Sequence, residues 1–355
     1  MAAAPLLGDE PMEMGPARTR EMFPLYQIGM VYQPSDPTPV GKGRLQVALE
    51  HMRANTFEFS DVFKEQPPED VQGRIHITQA SAGAIASRFA DIPLIFYFDE
   101  EIVRTALHLR YGLTDRTDLW ADVVVTSSGG GYLDGLIEAF HKLGFEQFGR
   151  DRIARNQVGL LVVDHGKIVF FTDHGLKNKL NDPLFGINHR ILDEGPWRLS
   201  VSVSMKPPMT TTYGVYRTGW DQSYAVTGRF EPTANSPGPA AHVFYFGAGF
   251  VRRPRGSPEY NSFPEGRFRD GVGAHLGWEY RGSSRIRPFV QLYWQSPFLC
   301  TQPYQKLDHP SLQHDLGFHW QSRPRTVWSL HYLNNITHNE NTADMGLGLT
   351  LSHRF

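Results

Sequence analysis

One cysteine, Cys300, is all this chain of 355 residues contains, which excludes an internal disulfide and any cysteine cluster for a metal. Neither sign of charge dominates. Against 35 Lys and Arg stand 37 Asp and Glu, a formal net charge of −2 that offers no basic surface to nucleic acid. Long apolar runs are missing as well. A spanning helix takes roughly 20 apolar residues, and the longest candidates, Ile92 to Phe98 and Val158 to Val163, are far shorter. The opening Met1-Ala-Ala-Ala-Pro has no basic n-region and no apolar h-region, so no secretory signal is visible. For an exported chain this implies a leader already removed, with Ala2 to Ala4 left from its cleavage region, or a start placed too far downstream. Taken at face value, it implies a protein that is never exported.

What the chain does contain is alternation. Hydrophobic residues make up 40% and the mean hydropathy is −0.37, values that look soluble. A transmembrane β-barrel has the same signature, because each strand alternates lipid-facing and lumen-facing residues and averages near neutral. Residues 1 to 42 hold seven prolines and no sustained period, which reads as an irregular N-terminal lead. From Arg44 the period becomes two. Leu45, Val47 and Leu49 alternate with polar neighbours, as do Val103, Thr105, Leu107, Leu109 and Tyr111, then Leu119, Ala121, Val123 and Val125. Later runs are clearer: Trp197 to Met205, Val272 to Tyr280 and Leu312 to Trp320, with weaker ones near 184–192, 221–231, 241–251, 286–296 and 326–335.

The connections sort by length. Those near 112–117, 193–196, 232–240, 281–285 and 322–325 are short; those near 60–99, 128–183, 207–220, 252–270, 297–310 and 336–343 are long. Short and long alternate, as in bacterial outer-membrane barrels with short periplasmic turns and long outer loops. The fold class expected is therefore all-β: a single antiparallel transmembrane barrel over 43–355, of about 12 strands (range 10 to 14), with both ends at the periplasm.

The last eleven residues make the strongest strand. Met345, Leu347, Leu349, Leu351 and Phe355 share one face, and Gly346, Gly348, Thr350, Ser352 and Arg354 the other. Such an aromatic-ended final strand resembles the one by which outer-membrane proteins are recognised, so Leu347, Leu349, Leu351 and Phe355 are assigned as an assembly signal for the barrel-assembly machinery. His353, outward in this register, is the exception to an apolar face.

In the longest loop, Leu133, Leu136, Ile137 and Phe140 recur at helical spacing, predicting one short amphipathic helix near 131–143 over the barrel mouth or at the membrane interface. The preceding glycines lack the lysine spacing of a phosphate loop. Asp134, Glu138 and His141 share a helical face, but Glu-x-x-His occurs once where a di-metal bundle needs two, so a solvated face is expected and no metal or other cofactor.

The stretch Leu109-Arg-Tyr-Gly-Leu-Thr-Asp-Arg, the segment Ser128-Gly-Gly-Gly-Tyr-Leu-Asp-Gly-Leu-Ile-Glu-Ala-Phe-His and Gly149-Arg150-Asp151 resemble an uncharacterised family of bacterial outer-membrane barrels, domain of unknown function 3187. The resemblance covers most of the chain after residue 40. It implies a barrel in the bacterial outer membrane, in contact with outer-membrane lipid, and carries over no catalytic residue.

Arg104, Arg110, Asp118, Asp122, Arg198, Glu279 and Asp315 fall on inward faces, a charged network of both signs. Selective open pores often favour one sign, so mixed charge suggests a narrow or plugged lumen. The function expected is a narrow or plugged channel, a transport protein or an envelope-structural barrel, with a small-molecule or lipid ligand left open. An outer-membrane lipid hydrolase is the enzymatic alternative. Its Ser/His candidates are Ser311 and His314, because ionisable residues on a lipid face are costly, and His51 also turns outward in this register. A soluble β-rich binding module is the third reading.

Overall fold

Twelve strands of the computed structural model close into a ring. The structure describes residues 12–65, 75–141, 153–210, 219–232, 241–254, 269–282, 285–297, 307–336 and 342–355. The ring consists of β1 (Leu45–Phe59), β2 (Leu94–Gly112), β3 (Thr117–Gly129), β7 (Leu184–Glu194), β8 (Trp197–Lys206), β9 (Asp221–Phe230), β10 (His242–Arg252), β11 (Gly271–Tyr280), β12 (Ile286–Gln295), β13 (Ser311–Arg323), β14 (Thr326–Asn335) and β15 (Met345–Arg354). Neighbours in the ring are antiparallel, and β15 pairs with β1 from Gln46↔Arg354 to Asn55↔Met345, which closes the barrel. Among the described residues no helix is long and apolar enough to cross a membrane.

Period-two patterning decides which face each side chain takes. Leu49, Leu107, Val123, Ile187, Val203, Val226, Leu276, Leu292, Leu316, Leu330 and Leu349 face outward and are exposed. At the short-turn end, Tyr111, Trp197, Tyr280, Trp320 and Phe355 form an exposed aromatic girdle, the usual flank of a lipid-facing band. Inward positions are largely polar.

At the long-loop end the strands outrun the ring. The alternation of β2 begins near Val103, yet the strand starts at Leu94. Leu94-Ile-Phe-Tyr-Phe98 does not alternate because it is covered on both sides. It pairs with β4 (Gly159–Asp164), which pairs with β5 (Lys167–Thr172). On one side Phe96, Phe98, Leu160 and Val162 pack with Phe23, Leu25 and Tyr26 of the lead. On the other Phe59, Ile95, Tyr97 and Leu161 pack on α1 (Val62–Glu65) and α2 (Gln79–Arg88) through Phe63, Ile85 and Phe89. Thr78 and Ser81 form a capping box that starts α2. The described parts of segments 60–99 and 128–183 thus include a helix-covered extension of the sheet; β6 (Lys179–Leu180) adds a short pairing to β3. The two runs too short for spanning helices are its central strands.

The lead contains one turn of 3-10 helix, Pro24–Gln27, and otherwise no regular structure from Met12 to Lys42. It lies inside the barrel. No residue from Met12 to Val40 is exposed. Met12 N donates to Pro324 O at 3.0 Å in the short β13–β14 turn. The chain then climbs to the long-loop end, turns at Pro24–Gln27, and descends until Gly43 N meets Gly112 O at 2.8 Å. The legs pass at Gly15, whose φ is +73° and whose Cβ, if it had one, would stand 2.5 Å from the Asp36 Cβ.

Candidate functional site

The lumen is built from every second residue of the wall and from the lead threaded through it. Buried charge is costly unless matched, so charge of one sign must meet the other. The seven residues of the sequence-derived network all lie on the lumen face. Arg110 pairs with Asp118 at 2.5 Å, and Arg104 with Glu50 of β1. Asp122 pairs with His108 and, at 2.6 Å, with Arg18 of the lead. Asp315 accepts from Thr19 at 2.5 Å and lies 2.8 Å from His331. Glu279 accepts from the Tyr245 hydroxyl at 2.8 Å and sits 3.3 Å from both Arg281 and Arg287. Arg198 pairs with Glu231 at 2.7 Å.

What wall alternation could not supply is the lead's share. Near the short-turn end Glu13 takes hydrogen bonds from Arg229 and, at 2.8 Å, from Arg281. Burial alone would raise its carboxyl, but the Arg229 hydrogen bond and the Arg281, Arg229 and Arg198 charges outweigh that and hold it at about 2. At the other end Glu21 accepts from the backbone N–H of Met22, Phe23 and Ala343 and from the Thr342 hydroxyl, tying the tip of the lead to the β14–β15 loop. Burial still leaves its carboxyl above the ordinary value. On the descending leg Lys206 Nζ donates to Ile28 O and Gly29 O at 3.2 and 3.3 Å, Arg253 to Met30 O at 2.6 Å, and Ser200 to Pro37 O at 2.6 Å. Val40 N donates to Asp118 at 3.1 Å. The sequence signal for these contacts was present but mute: a proline-rich lead carrying Glu13, Arg18, Glu21 and Asp36 names no strand to meet.

Tyr32 is fully buried. Its ring stacks on Tyr293, whose hydroxyl donates to Tyr32 O at 2.7 Å, and its own hydroxyl meets His275 Nδ1 at 2.8 Å. The slot exists because Gly247, Gly249 and Gly273 face inward; a Cβ at Gly249 would stand 2.5 Å from the Tyr32 ring. Between lead and wall remains a cavity of about 100 Å³, bordered by Arg18, Met30, Ala48, His108, Trp120 and His331.

The Ser/His candidates do not come together. Ser311 is buried on the lumen face, whereas His314 faces outward beside Tyr332, ring centroids 6.1 Å apart. Three residues along a strand is an odd step, which puts the two side chains on opposite sides of the wall. The outward histidines have partners of another kind. His51, His189 and His353 each meet the threonine directly across the ladder, Thr105, Thr117 and Thr326, at 3.0, 2.9 and 2.9 Å. Of the helical trio, Asp134 and Glu138 bond within the fold, to Asn55 and Arg155; the His141 side chain, Gly149-Arg150-Asp151 and Cys300 lie outside the described residues. Among the described residues no three His, Cys, Asp or Glu side chains are placed to hold a metal ion. Leu347, Leu349, Leu351 and Phe355 face outward on β15.

A closed antiparallel barrel with an outward apolar band, polar lumen, short turns at one end and long loops at the other defines the outer-membrane class of β-barrel fold. Within it, the chain belongs to the family described as "Protein of unknown function (DUF3187)", whose model matches residues 3–355. None of the curated proteins compared matches the chain. Among solved structures it is similar to the COG4313 outer membrane channel from Pseudomonas putida F1, with a TM-score of 0.50 and 10% identity over 91% of this chain and 99% of that one. Weaker likenesses are the Ralstonia pickettii toluene transporter TbuX (TM-score 0.40, 9% identity, 89% and 90% covered) and the CymD monoaromatic hydrocarbon channel (0.38, 11%, 94% and 96%). At 10% identity the first likeness is one of fold, and the other two carry no further argument.

Proposed function

We propose that this protein is a channel of the bacterial outer membrane whose lumen is closed at rest by its own N-terminal lead, and that solute passes when the lead shifts. The observation that carries this reading is the filled lumen: residues 12–40 run through it with none of them exposed, and Glu13, Arg18, Glu21 and Tyr32 are bonded to the wall around them. The wall behind the lead is not an apolar core. Arg110, Asp122, Arg229, Glu279 and Asp315 would be hydrated if the lead withdrew, so an open lumen is a chemically reasonable second state. The apolar band and aromatic girdle support placement in the outer membrane, with the short-turn end at the periplasm. The β15 side chains Leu347, Leu349, Leu351 and Phe355 are the surface proposed for the barrel-assembly machinery.

Planar-bilayer recordings of the full chain and of a Glu13→Gln, Tyr32→Ala variant test this. The wild type should be silent or open briefly to small steps, and the variant should open more often and to larger ones. Large steady steps in the wild type, unchanged in the variant, would defeat the closed-channel reading; silence in both would favour an envelope-structural barrel.

A further inference from the structure

The sequence places α3 (Leu133–His141) over the mouth or at the membrane interface; in the fold it lies against the outside of the wall. Leu133 and Ile137 pack on Met345 of β15 and Tyr332 of β14, both outward residues. The backbone N–H groups of Tyr132 and Leu133 donate to Glu101 of β2 at 2.9 and 2.8 Å, satisfying donors that a helix start leaves open. Arg53 of β1 holds the other Glu101 oxygen at 2.5 Å, and Asn55 donates to Asp134 at 3.0 Å.

Arg53, Asn55 and Glu101 are an anomaly on a barrel exterior. Asn55 and Glu101 are direct cross-strand partners, and the outward face they share continues that of Leu49 and Leu107. Polar groups there, bare to hydrocarbon, would be costly. Under α3 Asn55 and Glu101 are covered, 1% and 2% exposed, while the Arg53 side chain stays 25% exposed. The helix turns a different surface outward. Tyr132 is 67% and Leu136 53% exposed, and between and beyond them stand Gly135 and Ala139, also exposed and uncharged. Arg53 lies over the Tyr132 ring, 4.3 Å from its centroid. Below, the surface continues into Leu347, Leu349 and Leu330.

Height agrees with chemistry. Ten residue steps separate Met345 from the rim residue Phe355, and at ~3.4 Å per step with a tilt of ~40° they climb about 26 Å, close to the ~25 Å of a barrel's apolar band. The helix therefore sits at the band's upper edge. Nine residues make a helix ~14 Å long and ~10 Å wide, a footprint on the order of 140 Å², against the ~800 Å² per partner of a stable protein interface.

We propose that α3 is embedded in the extracellular leaflet, with Tyr132 and Leu136 among the lipids, and seals the Asn55–Glu101 pair from hydrocarbon. This rests on the membrane-barrel reading, and the test separates the two. The whole chain carrying Cys300→Ser receives one fluorophore, through Leu136→Cys or Leu349→Cys, and heat-dependent gel mobility confirms that each variant folds. Each is reconstituted in phospholipid vesicles with brominated lipid, and aqueous iodide serves as the opposing quencher. The expected result is that shallow bromines quench position 136, deeper bromines quench position 349, and iodide reaches neither. Iodide quenching at 136, with 349 still quenched by lipid, overturns the proposal and leaves the barrel reading standing. Loss of lipid quenching at both overturns both. Shielding of 136 from lipid and iodide alike, relieved on dilution of protein in lipid, would put a second copy there and also overturn it.

Discussion

Tyr32 and Gly273 meet where no side chain could stand between them: a Cβ on Gly273 would lie 2.4 Å from the Tyr32 Cβ. The lead and the wall are fitted to one another at this contact, and the absence of a methyl group on β11 is what lets the descending leg lie flat against it.

Gly273→Ala is therefore expected to destabilise the folded barrel by about 1–3 kcal/mol, the cost of overpacking a filled interior. Equilibrium unfolding in detergent measures it. The same substitution in a Tyr32→Gly background, which removes the Cβ as well as the ring, should cost less, and a double-mutant cycle should return a coupling of about 0.5–3 kcal/mol. Additive effects would mean that the ring and the glycine do not meet.

Acid should loosen the short-turn end of the lead. Glu13 sits among Arg229, Arg281, Arg198 and Glu231, and its carboxyl is held at about 2 instead of its ordinary 4.5. A carboxyl lowered by folding stabilises the closed state above its ordinary value and loses that contribution as pH falls from about 4.5 to about 2. Open probability in bilayers should rise through that window. In Glu13→Gln it should already be raised at neutral pH, with the acid step reduced.

Asp122 anchors the ascending leg through Arg18 and is itself fully buried. Asp122→Ala leaves Arg18 and His108 without their anion and is expected to cost about 3 kcal/mol, whereas Arg18→Met with Asp122→Leu removes both charges and should cost much less. Urea unfolding midpoints of the three proteins give the comparison. Equal losses in the single and double variants would show that the pair is screened by water.

A charge on the lipid side tests the register of the closing strand. Leu349→Lys faces outward and should lower stability by about 2–4 kcal/mol near mid-membrane, with a matching fall in folded, heat-modifiable protein recovered from membranes. Inward-facing Thr350→Lys, one residue on, should lose far less.

Much of the barrel could be read from residue order, because alternation is a local property. Leu347, Leu349 and Leu351 state which side of β15 meets lipid whatever their neighbours are, and the sorting of short and long connections states how the strands are joined. Arg104, Arg110, Asp118, Asp122, Glu279 and Asp315 reach the lumen by the same arithmetic. Arithmetic also separates Ser311 from His314, since an odd step crosses the wall. It failed on Leu94 to Phe98 and Leu160 to Val163, where both faces are covered and alternation disappears.

Strand number, facing and closure were thus in the sequence itself, since each strand must bury or expose every second residue. Where the proline-rich lead goes, and that α3 covers a polar strip from outside, only the tertiary structure decided. Those contacts join residues far apart in the chain, such as Glu13 with Arg229 and Tyr32 with Gly273, through single charges and missing methyl groups that carry no period.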